Sequence, residues 1–157
     1  NIIACAKHFA GYGFAESGRD YNTVFVSDDV LHNIILPPFK ASVEAGVKTF
    51  MNSFNDLNGI PATGSSLLQR SILKNNWNFK GFVVSDWGSI NEMIPHGYAK
   101  DSKHAAEIAI NAGSDMDMES YFYLDHLKNL VDEDKVDLEN LSKKLWKENR
   151  MPFQGLK

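Results

Sequence analysis

Short apolar runs of strand length alternate along this chain with longer segments in which apolar residues recur at helical spacing. The short runs cover residues 2–6, 47–51, 82–85 and 115–118. Strands joined through single helices are expected to be parallel, because the helix carries the chain back so that the next strand runs in the same direction. The alternation therefore predicts an α/β fold built on a parallel sheet.

The helical segments between and after these strands have their own start and stop signals. They cover residues 27–36, 39–45, 65–77, 102–112, 124–131 and 138–146. The Pro37-Pro38 pair is expected to interrupt the first helix, since proline inside a helix removes a hydrogen-bond donor. Ser102 is the predicted N-cap of the fourth helix, and Gly113 is its predicted end.

Polar side chains follow three of the predicted strands, at the point where each strand ends. They are Lys7-His8, Asn52-Ser53 and Asp86-Trp87. In a (β/α)8 barrel the carboxyl ends of all strands meet at one face, where catalytic groups collect. A doubly wound open sheet would instead carry a glycine-rich phosphate turn, and the sequence has none. The pattern therefore favours a TIM-like barrel.

Composition narrows the class of partner. The 157 residues are 43% hydrophobic, which is enough for one domain with a core. A formal net charge of -4, with both signs interspersed, gives no basic stripe for nucleic acid. No window reaches the roughly 18 apolar residues of a membrane span. The single cysteine, Cys5, is expected to be a buried thiol, and the five scattered histidines predict no metal site.

Lys7 and His8 are adjacent at a strand end, so both can face one space only if the strand is irregular there. They could donate hydrogen bonds to vicinal hydroxyls, or they could be a solvated lysine beside a satisfied loop histidine. Arg19 has the same ambiguity. It could reach over the strand ends, or it could pair with Glu16 or Asp20 as a loop clamp.

Asp86 directly follows an apolar strand, so its carboxylate is expected to be partly desolvated. Such a charge needs donors or cations nearby, and Lys7 and Arg19 are the candidates. A carboxylate held in this way can act as a nucleophile, and the adjacent Trp87 offers a flat apolar surface for a sugar ring. The alternative is that Asp86 caps the following loop or helix.

Four motifs in order along the chain resemble one family, the barrel domain of glycoside hydrolase family 3, in its bacterial β-glucosidase and β-xylosidase branch. The motifs are KHF at 7–9, MNSFN at 51–55 with NG at 58–59, WNFKGFVVSDW at 77–87 and AGSDMDM at 112–118. The resemblance extends from residue 3 to about residue 145, and residues 150–157 match it poorly. It implies that the chain is the C-terminal portion of a (β/α)8 barrel, a single-domain fragment.

The resemblance also implies roles for individual residues. Asp86 matches the nucleophile of a retaining glycosidase that hydrolyses terminal β-linked glucosyl or xylosyl residues. The implied substrate-binding residues are Lys7, His8, Arg19, Met51 and Trp87. Phe54 stands where many members have a tyrosine whose hydroxyl approaches the nucleophile, so that hydrogen bond is not expected here. No cofactor is implied.

A retaining mechanism also needs an acid/base carboxyl, and in this branch the following α/β sandwich domain supplies it. The chain begins at Asn1 rather than Met and enters a strand almost at once, as a piece of a longer polypeptide would. We therefore expect the 157 residues alone to have little hydrolase activity, and the resemblance implies a periplasmic or secreted parent. A non-catalytic carbohydrate-binding or scaffold barrel is the alternative.

Overall fold

A computed structural model of the protein describes residues 2–137. The strands of this part of the chain are β1 (Cys5–Phe9), β2 (Thr49–Asn52), β3 (Asp56–Leu57), β4 (Ile60–Pro61) and β5 (Phe82–Val84). Three of them form a parallel central sheet in the spatial order β1-β2-β5. Strands β3 and β4 form a separate antiparallel hairpin. The parallel α/β architecture predicted from the alternation is confirmed.

Helices connect the strands of the central sheet. The α-helices are α1 (Asp28–Val30), α2 (Pro37–Glu44), α3 (Ser89–Glu92), α4 (Ser102–Ala112) and α5 (Phe122–Asp132). Two π-helices cover Leu31–Ile35 and Leu67–Asn76, and short 3-10 turns cover Tyr12–Phe14, Glu16–Gly18 and Ala62–Gly64. No helix within residues 2–137 is long and apolar enough to cross a bilayer.

The hairpin turn and the strand register agree with the sequence signals. Asn58 and Gly59 have φ values of 52° and 84°, the left-handed conformations that a tight hairpin turn requires. The pairing of β1 with β2 shifts register between Ala6 and Phe9, which confirms the irregularity predicted at the end of the first strand. The shift lies at the carboxyl end of β1, where the predicted polar residues Lys7 and His8 are located.

Two helix boundaries differ from their predictions. The first helical segment ends at Ile35, just before the Pro37-Pro38 pair as predicted, but the second helix begins at Pro37 rather than at Phe39, because the missing proline N–H has no intrahelical partner to lose in the first turn. The N-cap of α4 is Asp101, whose carboxylate accepts the His104 N–H at 2.8 Å, so Ser102 is the first helical residue. Aspartate and serine are both common N-cap residues, and here Asp101 takes that role one position before Ser102.

The prediction of a strand over residues 115–118 is wrong in length. Only Met116 forms a bridge to Val84. Side chains take two of the bonds that a backbone ladder would make, since Asp115 Oδ2 accepts the Val83 N–H and Ser85 Oγ accepts the Met118 N–H. The helix predicted over 138–146 and the poorly matched tail at 150–157 lie outside the described residues.

Cys5 is exposed, which contradicts the expected buried thiol. Its neighbour Ala6 packs against the main apolar cluster on the helical side of the sheet. Because side chains alternate along a strand, Cys5 points to the opposite face of β1, the edge strand.

Aromatic packing forms the centre of the core between the sheet and its helices. The ring of Phe50 packs edge-on against Phe9 at 5.4 Å and against Phe79 at 5.0 Å between centroids. Gly81 permits the chain to enter β5 beside β2, because a Cβ there would lie 1.9 Å from the Lys48 carbonyl oxygen. The core therefore fixes the position of β5 and the residues that follow it.

Candidate active site

The ends of β1 and β5 bring His8 and Asp86 together. His8 Nε2 lies 3.4 Å from Asp86 Oδ2. The His8 ring also packs against Tyr12, at 4.8 Å between ring centroids, and is stacked with Phe54 at 6.5 Å. Aromatic contacts on the ring thus restrict its orientation toward the carboxylate.

Asp86 is a buried carboxylate whose two oxygens have different surroundings. The residue is 6% exposed, and its Oδ1 accepts the N–H of Trp87 at 2.7 Å. Its Oδ2 makes no hydrogen bond with any residue from 2 to 137. The 3.4 Å contact with His8 is close enough for electrostatic attraction but does not have hydrogen-bond geometry. One oxygen of the carboxylate is therefore without a fixed donor.

The alternative in which Asp86 caps the following loop or helix holds for the loop and not for the helix. Its side chain binds the adjacent amide of Trp87, which is a local loop interaction. The N-cap of α3 is Gly88, and no side chain caps that helix. Asp86 therefore shapes its own turn without capping α3.

The surroundings of His8 favour its neutral form. Burial lowers the pKa of His8 below its ordinary value of 6.5, and the nearby Lys7 charge lowers it further. Asp86 and Asp20 act in the opposite direction but do not reverse the shift. At neutral pH the ring is therefore uncharged, with one N–H to donate and one nitrogen to accept.

The structure does not bring the two predicted cations onto Asp86. Lys7 and Arg19 are both exposed, and neither forms an ion pair with a residue in the described range. The loop clamp through the Arg19 side chain is not formed either. Asp20 instead accepts a hydrogen bond from the Tyr12 hydroxyl at 2.6 Å. Of the two, only Lys7 is shown close to the site, since its charge acts on His8.

Met51 and Trp87 differ in exposure. Met51 is half-buried in β2 and pairs with Val84 at the end of β5. Trp87 directly follows Asp86 and is 63% exposed. Because Asp86 is buried and Trp87 is largely exposed, the indole ring presents a flat apolar surface to solvent beside the carboxylate.

Two tyrosines join this site that the sequence analysis did not select. Tyr12 packs on His8, and Tyr21 packs on Phe54 at 4.6 Å between ring centroids. The hydrogen bond to Asp20 raises the pKa of Tyr12. Burial raises the pKa of Tyr21, with smaller contributions from surrounding carboxylates that include Asp86. Their position in the loop after Lys7-His8 was the available signal, since a loop that leaves a strand end passes over it.

Asn52, the last residue of β2, and Ser53, which follows it, do not face the open site. Both are fully buried. Asn52 Nδ2 donates to Ser114 Oγ at 2.6 Å, and Ser53 Oγ donates to Asn55 Oδ1. These residues therefore belong to the scaffold beneath the site. Among residues 2–137, no group of three or more metal-binding side chains lies close enough to hold an ion.

Comparison with known proteins gives one consistent result. The model of the glycosyl hydrolase family 3 N-terminal domain matches residues 1–147. A periplasmic beta-glucosidase of Salmonella typhimurium is 43% identical over 141 residues, which is 90% of this chain and 18% of that protein. A putative beta-xylosidase of Formosa agariphila is 38% identical over 129 residues, or 79% of this chain and 17% of that protein.

Solved structures agree with the sequence relatives. The crystal structure of a beta-glucosidase from Listeria innocua in complex with isofagomine superposes with a TM-score of 0.89 at 41% identity, covering 92% of this chain and 20% of that one. The chain thus spans about a fifth of the length of these relatives. The family match over residues 1–147, together with this similarity, shows that the chain belongs to the glycosyl hydrolase family 3 N-terminal domain family.

Proposed function

We propose that Asp86 is the nucleophile of a retaining β-glycosidase. The observation that carries this proposal is the state of its carboxylate, which is buried and has one oxygen without a hydrogen-bond donor beside a neutral His8. A carboxylate that donors do not fully satisfy keeps more of its charge for attack on carbon. Family membership supports glycoside hydrolysis as the reaction.

The proposed reaction has two displacements. An oxygen of Asp86 attacks the anomeric carbon, a glycosyl–enzyme ester forms, and the bond to the leaving-group oxygen breaks. A second carboxyl group protonates that oxygen and later activates the water that hydrolyses the ester. We place this acid/base outside the 157 residues, because the relatives are about five times longer and the resemblance assigns this group to the domain that follows the barrel.

The residues around Asp86 supply the proposed sugar site. Neutral His8 can donate to one hydroxyl, and the exposed Lys7 and Arg19 have the length to reach others. Met51 lines the sugar site, and Trp87 forms an apolar wall near the leaving group. The substrate class we propose is a terminal β-linked glucosyl or xylosyl unit, which the names of the relatives support. The periplasmic Salmonella relative supports a location outside the cytoplasm.

Asp86→Asn tests the proposal in the complete polypeptide that includes the parts present in the relatives. We expect hydrolysis of an aryl β-glucoside to fall by about a thousandfold or more, because the neutral amide cannot form the ester. Binding of glucose should remain, since asparagine keeps the shape of the side chain. Asp125→Asn, an exposed carboxylate on α5, is the control and should leave turnover unchanged.

Normal turnover of Asp86→Asn would refute the assignment and favour the non-catalytic scaffold. The 157 residues alone should show little or no turnover on the same aryl β-glucoside, since the proposed acid/base is not among them. Full activity of this short chain would place the acid/base within residues 1–157 and contradict that part of the proposal.

A further inference from the structure

We infer that Ser85 is a positioning residue for Asp86, and that it acts through the peptide of Met118. This inference rests on the proposed role of Asp86 as the nucleophile. The Met118 N–H donates to Ser85 Oγ at 2.8 Å, and the Met118 carbonyl accepts the Gly88 N–H at 2.8 Å. One residue therefore holds both ends of the turn 85–88 that carries Asp86.

The serine hydroxyl replaces a bond that the sheet no longer provides. The Ser85 N–H still donates to the Met116 carbonyl at 2.9 Å, as a strand residue would. Beyond that point the chain leaves the ladder, and the next bond toward the neighbouring segment is made by the Ser85 side chain. Ser85 is fully buried, so no bulk water competes for its hydroxyl.

Inside the turn, the remaining bonds orient the carboxylate. Asp86 Oδ1 accepts the Trp87 N–H at 2.7 Å, and the Ser89 N–H donates to the Asp86 carbonyl at 3.1 Å. These bonds fix the side chain relative to the turn but not relative to the rest of the protein. The bonds of Ser85 and Gly88 to Met118 provide that second fixation.

The segment that contains Met118 is itself held firmly. Asp117 accepts the backbone N–H groups of Ser120 and Tyr123 through its two carboxylate oxygens, at 3.1 and 3.2 Å. The carboxylate of Asp115 accepts two 2.7 Å hydrogen bonds from the buried Lys74. Met118 is therefore a fixed support, and loss of the Ser85 bond frees the Asp86 turn at one end.

Ser85→Ala removes the hydroxyl with little change in volume. Displacement of a reacting group by about 1 Å costs up to about a hundredfold in rate, so we expect the glycosylation step to slow by tenfold to a hundredfold. The measurement is the pre-steady-state release of nitrophenol from an aryl β-glucoside by the complete polypeptide, expressed per active site counted with a trapping 2-fluoro-glucoside. The dissociation constant for glucose should change less than twofold.

Ser65→Ala is the matched control. Ser65 is also a buried serine whose hydroxyl accepts a backbone N–H, that of Leu68 at 3.3 Å, but it lies at the start of a π-helix. Its rate per active site should equal that of the unmodified protein. If Ser85→Ala does not fold, Ser85→Cys, which offers only a weak sulfur acceptor, is measured against the same criterion.

An unchanged glycosylation rate per active site in the Ser85 variant would overturn the inference, and so would an equal loss in Ser65→Ala. A slower rate together with an equally weakened glucose affinity would also overturn it, because that result describes a general disturbance of the site. Failure of the proposed function is distinguished by Asp86→Asn, which would then retain turnover whatever the Ser85 variants do.

Discussion

His8 Nε2 and Asp86 Oδ2 lie 3.4 Å apart, at the ends of two strands that are separated in the sheet by β2. The contact joins a neutral ring to a buried carboxylate that has no other partner for this oxygen among residues 2–137. A charged partner would bind the carboxylate more tightly, whereas a neutral partner leaves its oxygen available to react. The protonation state of His8 therefore matters for both stability and reactivity.

The first prediction concerns the pH dependence of folding. Because burial lowers the pKa of His8 from 6.5, the unfolded chain binds this proton more readily than the folded one. The stabilisation that neutral His8 provides is present above pH 6.5 and is lost as the pH falls through its folded pKa. Urea unfolding at pH 7.5 and 5.5 measures the loss.

His8→Gln should lose less stability over that pH interval than the unmodified protein, because glutamine does not titrate. His32→Gln, an exposed histidine on the first π-helix, is the control and should behave like the unmodified protein. Identical losses in the His8 variant and the unmodified protein would show that the environment of His8 does not disfavour its protonation.

The second prediction concerns the buried ion pair behind β5. Lys74 Nζ lies 2.7 Å from Asp115 Oδ1, and the two side chains are 3% and 15% exposed. Lys74→Met leaves the Asp115 carboxylate partly buried without its cation, so we expect a loss of about 3–5 kcal/mol in the free energy of unfolding. Lys128→Met, which breaks a pair whose lysine is 84% exposed, should cost less than about 1 kcal/mol. Similar losses in both variants would contradict the prediction.

The third prediction concerns the approach of the chain to β5. Gly81→Ala places a Cβ 1.9 Å from the backbone oxygen of Lys48, which cannot move without disturbing the start of β2. We expect this variant to be expressed without a cooperative unfolding transition. Gly13→Ala is the matched control, since a Cβ there meets no atom within 4 Å. A cooperative transition near that of the control, followed by circular dichroism, would show that the two strands can separate at low cost.

Much of the sheet was predictable because its signals are local. The run at 82–84 is apolar enough to be a buried strand, and the Asn58-Gly59 pair has the conformation that its residue types favour. The segment after Gly113 was harder to predict, because side chains of Asp115 and Ser85 replace backbone hydrogen bonds there. Hydropathy does not show that a side chain has replaced a backbone hydrogen bond. The polar residues that do so look the same in sequence as polar residues that carry function at a strand end.

The site was predictable in its centre and less so at its rim. His8 and Asp86 meet because their backbone positions at strand ends are fixed by the sheet. Lys7 and Arg19 have long side chains whose direction the order of elements does not determine, and neither forms an ion pair with Asp86. The packing of Tyr12 on His8 depends on the path of a loop, which residue spacing does not specify.

The last prediction separates a binding surface from a structural residue. Trp87 is 63% exposed, so its ring contributes little to the core, and Trp87→Ala should change the free energy of unfolding by no more than about 0.5 kcal/mol. If the ring stacks on the substrate, an aromatic contact of about 0.5–1.5 kcal/mol is lost, and KM for an aryl β-glucoside should rise about two- to tenfold in the complete polypeptide. Phe25→Ala removes another aromatic ring that is 71% exposed, and it should change neither quantity. An unchanged KM for Trp87→Ala would remove the indole from the proposed site, and a large loss of stability would show that the ring serves the fold instead.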